Sequence, residues 1–120
     1  MAFRVLVAGG AGLVGSAVAR QLLSEGAEVA VVDALADDGA GRAVREARLE
    51  ALRALPGATV VTADLSLPGA AGEVFRDFRP GAVVNAALFA PGKPGVAALL
   101  EAARAHERPF IVHLSEAALY

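Results

Sequence analysis

Five short apolar runs, Phe3–Ala8, Glu28–Asp33, Thr59–Ala63, Ala82–Asn85 and Phe110–Leu114, alternate along this chain with stretches of helical spacing. The runs are near-continuous in Val, Ile, Leu and Phe rather than alternating with polar residues. That pattern marks strands covered on both faces, hence a parallel sheet. Parallel neighbours need long crossovers, and four helical segments supply them. Val14, Val18 and Leu22 form a stripe ended by Gly26. Val44, Ala47, Ala51, Leu52 and Leu55 form a second, ended by Pro56-Gly57. Val74, Phe75 and Phe78 belong to a short third helix before Arg79-Pro80-Gly81, and Val96, Leu99, Leu100 and Ala103 form the fourth. Right-handed crossovers then predict an α/β fold: a doubly wound, five-stranded parallel sheet in the order 3-2-1-4-5, with helices on both faces. A cleft is expected above the carboxyl ends of the first and fourth strands. With 120 residues, positions 1–120 read as a single domain.

Composition narrows the function classes. A net charge of −2 and a pI of about 5.6 give no electrostatic footprint for nucleic acid or an anionic membrane. The absence of Cys removes disulfides and zinc–thiolate sites and fits a reducing, cytoplasmic setting. No apolar stretch approaches the ~20 residues of a membrane span. Glycines interrupt the first apolar run too early for a cleavable signal. Two histidines without other convincing ligands make no metal site, so none is expected. Alanine raises the hydrophobic fraction to 56% while aromatics stay at 5%, which suits helices packed closely on a sheet.

The chemistry concentrates where the first strand turns into the first helix. There the sequence runs Ala8-Gly9-Gly10-Ala11-Gly12-Leu13-Val14-Gly15, holding both Gly10-x-Gly12-x-x-Gly15 and Gly9-x-x-Gly12-x-x-Gly15. Such glycines serve a tight turn, close backbone approach to phosphates, and close helix–strand packing. The helix they open offers unpaired N–H groups and the positive end of its dipole, which suits a pyrophosphate. Asp33 ends the second strand 18 positions past Gly15, where a carboxylate meets the hydroxyls of an adenosine ribose. The residues alone therefore predict a dinucleotide site. Asp64, just past the third strand, reads equally as a turn cap. A Gly-Lys-Ser/Thr phosphate loop is absent, and so are the acids and lysine of a phosphoacceptor receiver.

Together with Asp64-Leu65, Asn85-Ala86-Ala87, Leu100-Glu-Ala-Ala-Arg104 and Ser115-Glu-Ala-Ala-Leu-Tyr120, these features resemble the extended short-chain dehydrogenase/reductases. Within that group the chain is most similar to the NAD-dependent sugar-nucleotide epimerase/dehydratase branch, over its N-terminal cofactor-binding half. The resemblance implies a Rossmann domain in which Gly9, Gly12 and Gly15 cradle the pyrophosphate and Leu13 and Val14 donate backbone N–H groups. It further implies Asp33 on the adenine ribose, Asp64 and Leu65 beside the adenine, and Ala86 and Ala87 under the nicotinamide side. Asp33 followed by Ala34 favours NAD, because a carboxylate repels the 2′-phosphate of NADP.

The departures bear on activity. The family's Tyr-x-x-x-Lys pair is missing, the only lysine is Lys93, and Glu116 stands where a second Ser or Thr is usual. Ser115 and Glu116 read as a helix cap and first-turn acid, and Tyr120 is assigned no chemical role, so no catalytic residue is expected. Arg42, Arg45, Arg48 and Arg53, with Glu46 and Glu50, read as the solvated face of the second helix. Three readings stay open: the cofactor domain of a nucleotide-sugar epimerase or dehydratase, a noncatalytic NAD-sensing module, and a scaffold without ligand. The apolar fifth strand is expected to be an unprotected edge that promotes self-association.

Overall fold

The computed structural model describes residues 3–35, 40–87, 95–107 and 109–114. Among the described residues nine elements alternate strictly: β1 (Arg4–Ala8), α1 (Leu13–Ser24), β2 (Glu28–Asp33), α2 (Ala40–Arg53), β3 (Ala58–Thr62), α3 (Ala70–Phe78), β4 (Ala82–Asn85), α4 (Gly95–Ala105) and β5 (Phe110–His113). The strands form one sheet in the order β3-β2-β1-β4-β5, every pairing parallel. This is the expected doubly wound architecture. Strand ends differ from the sequence reading by one residue, with Phe3, Ala63 and Leu114 outside the ladders and Ala58 inside.

The pleat divides the core into two layers. Leu6, Ala8, Ala30, Val32 and Val83 turn toward α3 and α4, where Phe75, Phe78, Leu99 and Ala103 meet them. Val5, Val7, Val29 and Val31 turn to the opposite face, against Ala19, Leu23, Leu49 and Leu52 of α1 and α2. Only the central strands are covered on both sides. β3 is half-buried, and β5 leaves Phe110 and Val112 exposed at the sheet's edge.

The helices meet the sheet through faces rotated from the predicted stripes. On α1 the buried side is Gly15, Ser16, Ala19 and Leu23, while Val14 is exposed and Val18 only partly covered. Small residues let this helix lie close to the sheet, so its inner face is marked by size rather than by hydropathy. On α2, Leu49 and Leu52 are buried while Val44 is exposed; on α4, Leu99, Ala102 and Ala103 are buried while Val96 and Leu100 face outward.

The two ends of the sheet are built differently. At the amino-terminal end of the strands, Arg4 pairs with Glu28 at 2.7 Å, donates from Nε to the Phe78 carbonyl at 2.7 Å, and lies over the Phe78 ring. The carboxyl end carries loops instead.

Phe75 is fully buried at the centre of the α3–α4 layer. Phe75→Ala is expected to cost about 3–5 kcal/mol through lost burial and the cavity left behind. Gly72, inside α3 with open space where a side chain would stand, offers the reverse test. Gly72→Ala should add about 0.5–1 kcal/mol. Denaturant unfolding of both variants measures these shifts.

Candidate functional site

The turn from β1 into α1 crosses the carboxyl ends of β1, β2 and β4, so residues far apart in sequence converge there. Gly9 and Gly10 extend the ladder, both N–H groups donating to the Val32 carbonyl at 2.8 and 3.3 Å. Gly9 adopts φ +78°, and a Cβ there would stand 2.6 Å from the Ala87 nitrogen. The glycine loop and the Ala86-Ala87 segment are therefore in backbone contact. At Gly15, a Cβ would come 2.2 Å from the Gly9 carbonyl oxygen, so α1 can start against the loop only with glycine there.

Gly12 is different. Its backbone is ordinary and extended, with φ −73° and ψ 168°, and an added Cβ would meet only the Gly9 oxygen at 3.4 Å. Nothing in the described fold forbids a side chain at Gly12. It is also the N-cap of α1 and contributes no side-chain cap; the first helical bond runs from the Ser16 N–H to the Gly12 carbonyl at 2.9 Å. The amides of Leu13, Val14 and Gly15 precede that bond, at the end of the helix where donors lack intrahelical partners. Leu13 and Val14 carry exposed side chains on this first turn.

Asp33 stands beside the loop and is already engaged with it. Its Oδ2 accepts from the Ala11 N–H at 3.0 Å and its Oδ1 from the Leu35 N–H at 3.0 Å. A carboxylate has about four lone-pair positions, so two remain for ribose hydroxyls. Asp33 is thus both a ligand candidate and a brace for the loop. The brace was not legible in the sequence.

The remaining predicted residues fall into two groups. Asp64 follows β3, and its Oδ1 accepts from the Ser66 N–H at 2.9 Å and the Ser66 hydroxyl at 2.5 Å, closing an Asx turn. The Leu65 side chain is buried in the α3–α4 layer. Ala86 continues the central ladder by donating to the Ala8 carbonyl at 2.9 Å, and the Ala87 N–H donates to Asn85 Oδ1 at 3.2 Å. Ser115, Glu116, Tyr120 and Lys93 lie outside the described residues.

Three residues outside the predicted site contribute to it. Asn85 is fully buried; its Oδ1 holds Ala87 and its Nδ2 faces His113 Nδ1 at 2.8 Å, tying β4 to β5 at the carboxyl end of the sheet. Its signals in the sequence were a polar residue closing an apolar run and its place in the Asn85-Ala86-Ala87 motif. The polar face of α2 is exposed as expected at Glu46, Glu50 and Arg53, and in addition Arg42 and Arg48 reach loops of the site. Arg42 donates to the Leu35 carbonyl at 2.9 Å while pairing with Glu46, and Arg48 donates to the Ala11 carbonyl at 3.1 Å.

A sequence profile of the NAD dependent epimerase/dehydratase family matches residues 5–120. The chain belongs to that family. Solved structures agree. UDP-glucose 4-epimerase from Thermus thermophilus, in complex with NAD, is 31% identical and superposes with a TM-score of 0.68 over 91% of this chain and 36% of that one. The Brucella ovis UDP-glucose 4-epimerase, in complex with NAD, is 26% identical with a TM-score of 0.76, over 99% of this chain and 37% of its own. The Stenotrophomonas maltophila UDP-glucose-4-epimerase, with bound NAD and formylated UDP-arabinopyranose, is 26% identical with a TM-score of 0.77, over 98% and 38%. This chain thus spans little more than a third of the length of these relatives, resembling their N-terminal, NAD-binding part. No curated protein sequence matches it. Among the described residues, no helix is long and apolar enough to cross a membrane.

The glycines separate in stability tests. Gly15→Ala should destabilise by about 2 kcal/mol or more, because the methyl meets backbone that cannot yield. Gly12→Ala should cost at most about 1 kcal/mol, the difference between two weak N-caps. Urea denaturation compares them directly.

Proposed function

We propose that this chain is an NAD(H)-binding domain, the cofactor half of a nucleotide-sugar epimerase or dehydratase. The observation that carries the proposal is the open space at Gly12. Gly9 and Gly15 answer to contacts within the protein, whereas the bare backbone at Gly12 answers to none. It lies beside the leading amides of α1, where a side chain would obstruct a phosphate approaching the helix. A close-approach requirement from a ligand accounts for the glycine.

In this reading Gly9, Gly12 and Gly15 shape the cradle, and the Leu13 and Val14 amides donate to the pyrophosphate. Asp33 accepts from the adenine ribose hydroxyls with its remaining lone pairs. Its negative charge opposes a 2′-phosphate, favouring NAD over NADP. Asp64 and Leu65 flank the adenine. Ala86, bonded to the Ala8 carbonyl, and Ala87, held by Asn85, floor the nicotinamide side. Bound NAD supplies hydride transfer to and from a sugar carbon. These 120 residues contain no Tyr-x-x-x-Lys pair for the accompanying proton. The proposal is therefore confined to cofactor binding by these residues. The exposed β5 edge, with Phe110 73% accessible, pairs two copies at high concentration.

Titration calorimetry tests the cofactor assignment. NAD should bind with a dissociation constant in the micromolar-to-millimolar range. Gly12→Ala should weaken it by about tenfold or more, a loss of roughly 1.4 kcal/mol, while the protein stays folded. Absence of heat with wild type at saturating NAD, or equal affinity in Gly12→Ala, would refute it. Asp33→Ala strands both the Ala11 and Leu35 amides, and Asp33→Asn, with one acceptor oxygen, still turns an NH2 toward one of them, so the ribose contact is read from either variant only beside its unfolding curve. Sedimentation tests the β5 pairing; a monomer throughout would exclude it.

A further inference from the structure

The two oxygens of Asp33 open two parallel chains of contact, and both end on α2. From Oδ1 the path runs through the Leu35 N–H to Leu35, whose carbonyl accepts from Arg42 at 2.9 Å. From Oδ2 it runs through the Ala11 N–H to Ala11, whose carbonyl accepts from Arg48 at 3.1 Å. The peptide that Arg48 grips is Ala11–Gly12, and its N–H donates to the Gly9 carbonyl at 3.2 Å, closing the glycine turn. A guanidinium on a peptide oxygen polarises that peptide and strengthens donation from its N–H. Arg48 thus fastens the turn from outside while Asp33 fastens it from β2.

We propose that Arg48, assisted by Arg42, is a positioning residue for the dinucleotide. α2 acts as a clamp that holds the glycine turn and the Asp33 carboxylate in the shape a pyrophosphate and a ribose require. This rests on the NAD-binding reading for its ligand, although the clamp itself is a property of the protein alone. A free loop would lose conformational entropy when a ligand docks; a clamped one has already lost it. The charge also matters. The guanidinium lies on the far side of a single residue from Asp33, so it offsets the carboxylate next to which an anionic pyrophosphate must settle.

Amide exchange by NMR and NAD titration, on wild type and variants, test the clamp. In Arg48→Ala, exchange without ligand should accelerate at Ala11 and Gly12 and stay unchanged in β4. NAD should bind about 5–20-fold more weakly, the range for a half-exposed charge-assisted hydrogen bond. Arg48→Lys should recover part of the loss. Arg53→Ala, whose side chain pairs with Glu50 on exposed surface, should change neither reading. In an Asp33→Asn background the Arg48→Ala loss should shrink, because both side chains act on Ala11; a general stability effect would add instead. Wild-type affinity and wild-type exchange in Arg48→Ala would overturn the clamp while leaving the cofactor assignment standing. Faster exchange at Ala11 and Gly12, with no NAD binding even in wild type, would do the reverse. Should Arg48→Ala fail to fold, Arg48→Gln replaces it: retained affinity there refutes the clamp, and a loss that Arg48→Lys repairs supports it.

Discussion

The site depends on how closely two stretches of bare backbone approach each other where β1 becomes α1. The Gly9 carbonyl occupies the space in which a side chain at residue 15 would begin, and residue 9 itself abuts the Ala87 backbone. These contacts bring the helix start, the end of β1 and the end of β4 into one corner. Any Cβ there would push the three apart. The candidate site, from the uncapped amides of α1 to the Ala86-Ala87 segment, inherits its position from that approach.

Around this corner the polar groups serve the loops before they serve a ligand. Asp33, Asn85, Arg42 and Arg48 each hold at least one backbone group of a loop at the carboxyl end of the sheet. Such bonds stiffen segments that otherwise lack ladder partners, and a stiff site loses less entropy on binding. The opposite end of the sheet, tied by Arg4 to Glu28 and Phe78, carries stability instead. The division of labour between the two ends follows from parallel strands, which bring every carboxyl end to one side.

Much of this was legible from residue order. Near-continuous apolar runs gave the strands, because central parallel strands are buried on both faces and leave no polar alternation. The helix faces were less legible: α1 turns Gly15 and Ala19 inward and leaves Val14 exposed, so a stripe drawn from large apolar residues was rotated by one position. Close packing selected for small size, which hydropathy does not register. Leu49 on α2 escaped for a related reason, set among arginines that looked solvated until the loops they hold came into view.

The order of apolar runs, the spacing of Gly9, Gly12 and Gly15, and the acid at position 33 determined the fold class and which strand ends carry the candidate site, because strand and helix periodicities are local properties. Contacts between distant segments required the folded chain. Only there does Gly12 stand out from its neighbours as a glycine without an internal reason. Only there does Arg48, 37 positions beyond Ala11, meet that residue's carbonyl. Side-chain reach across a sheet depends on how elements pack, and no linear pattern encodes that distance.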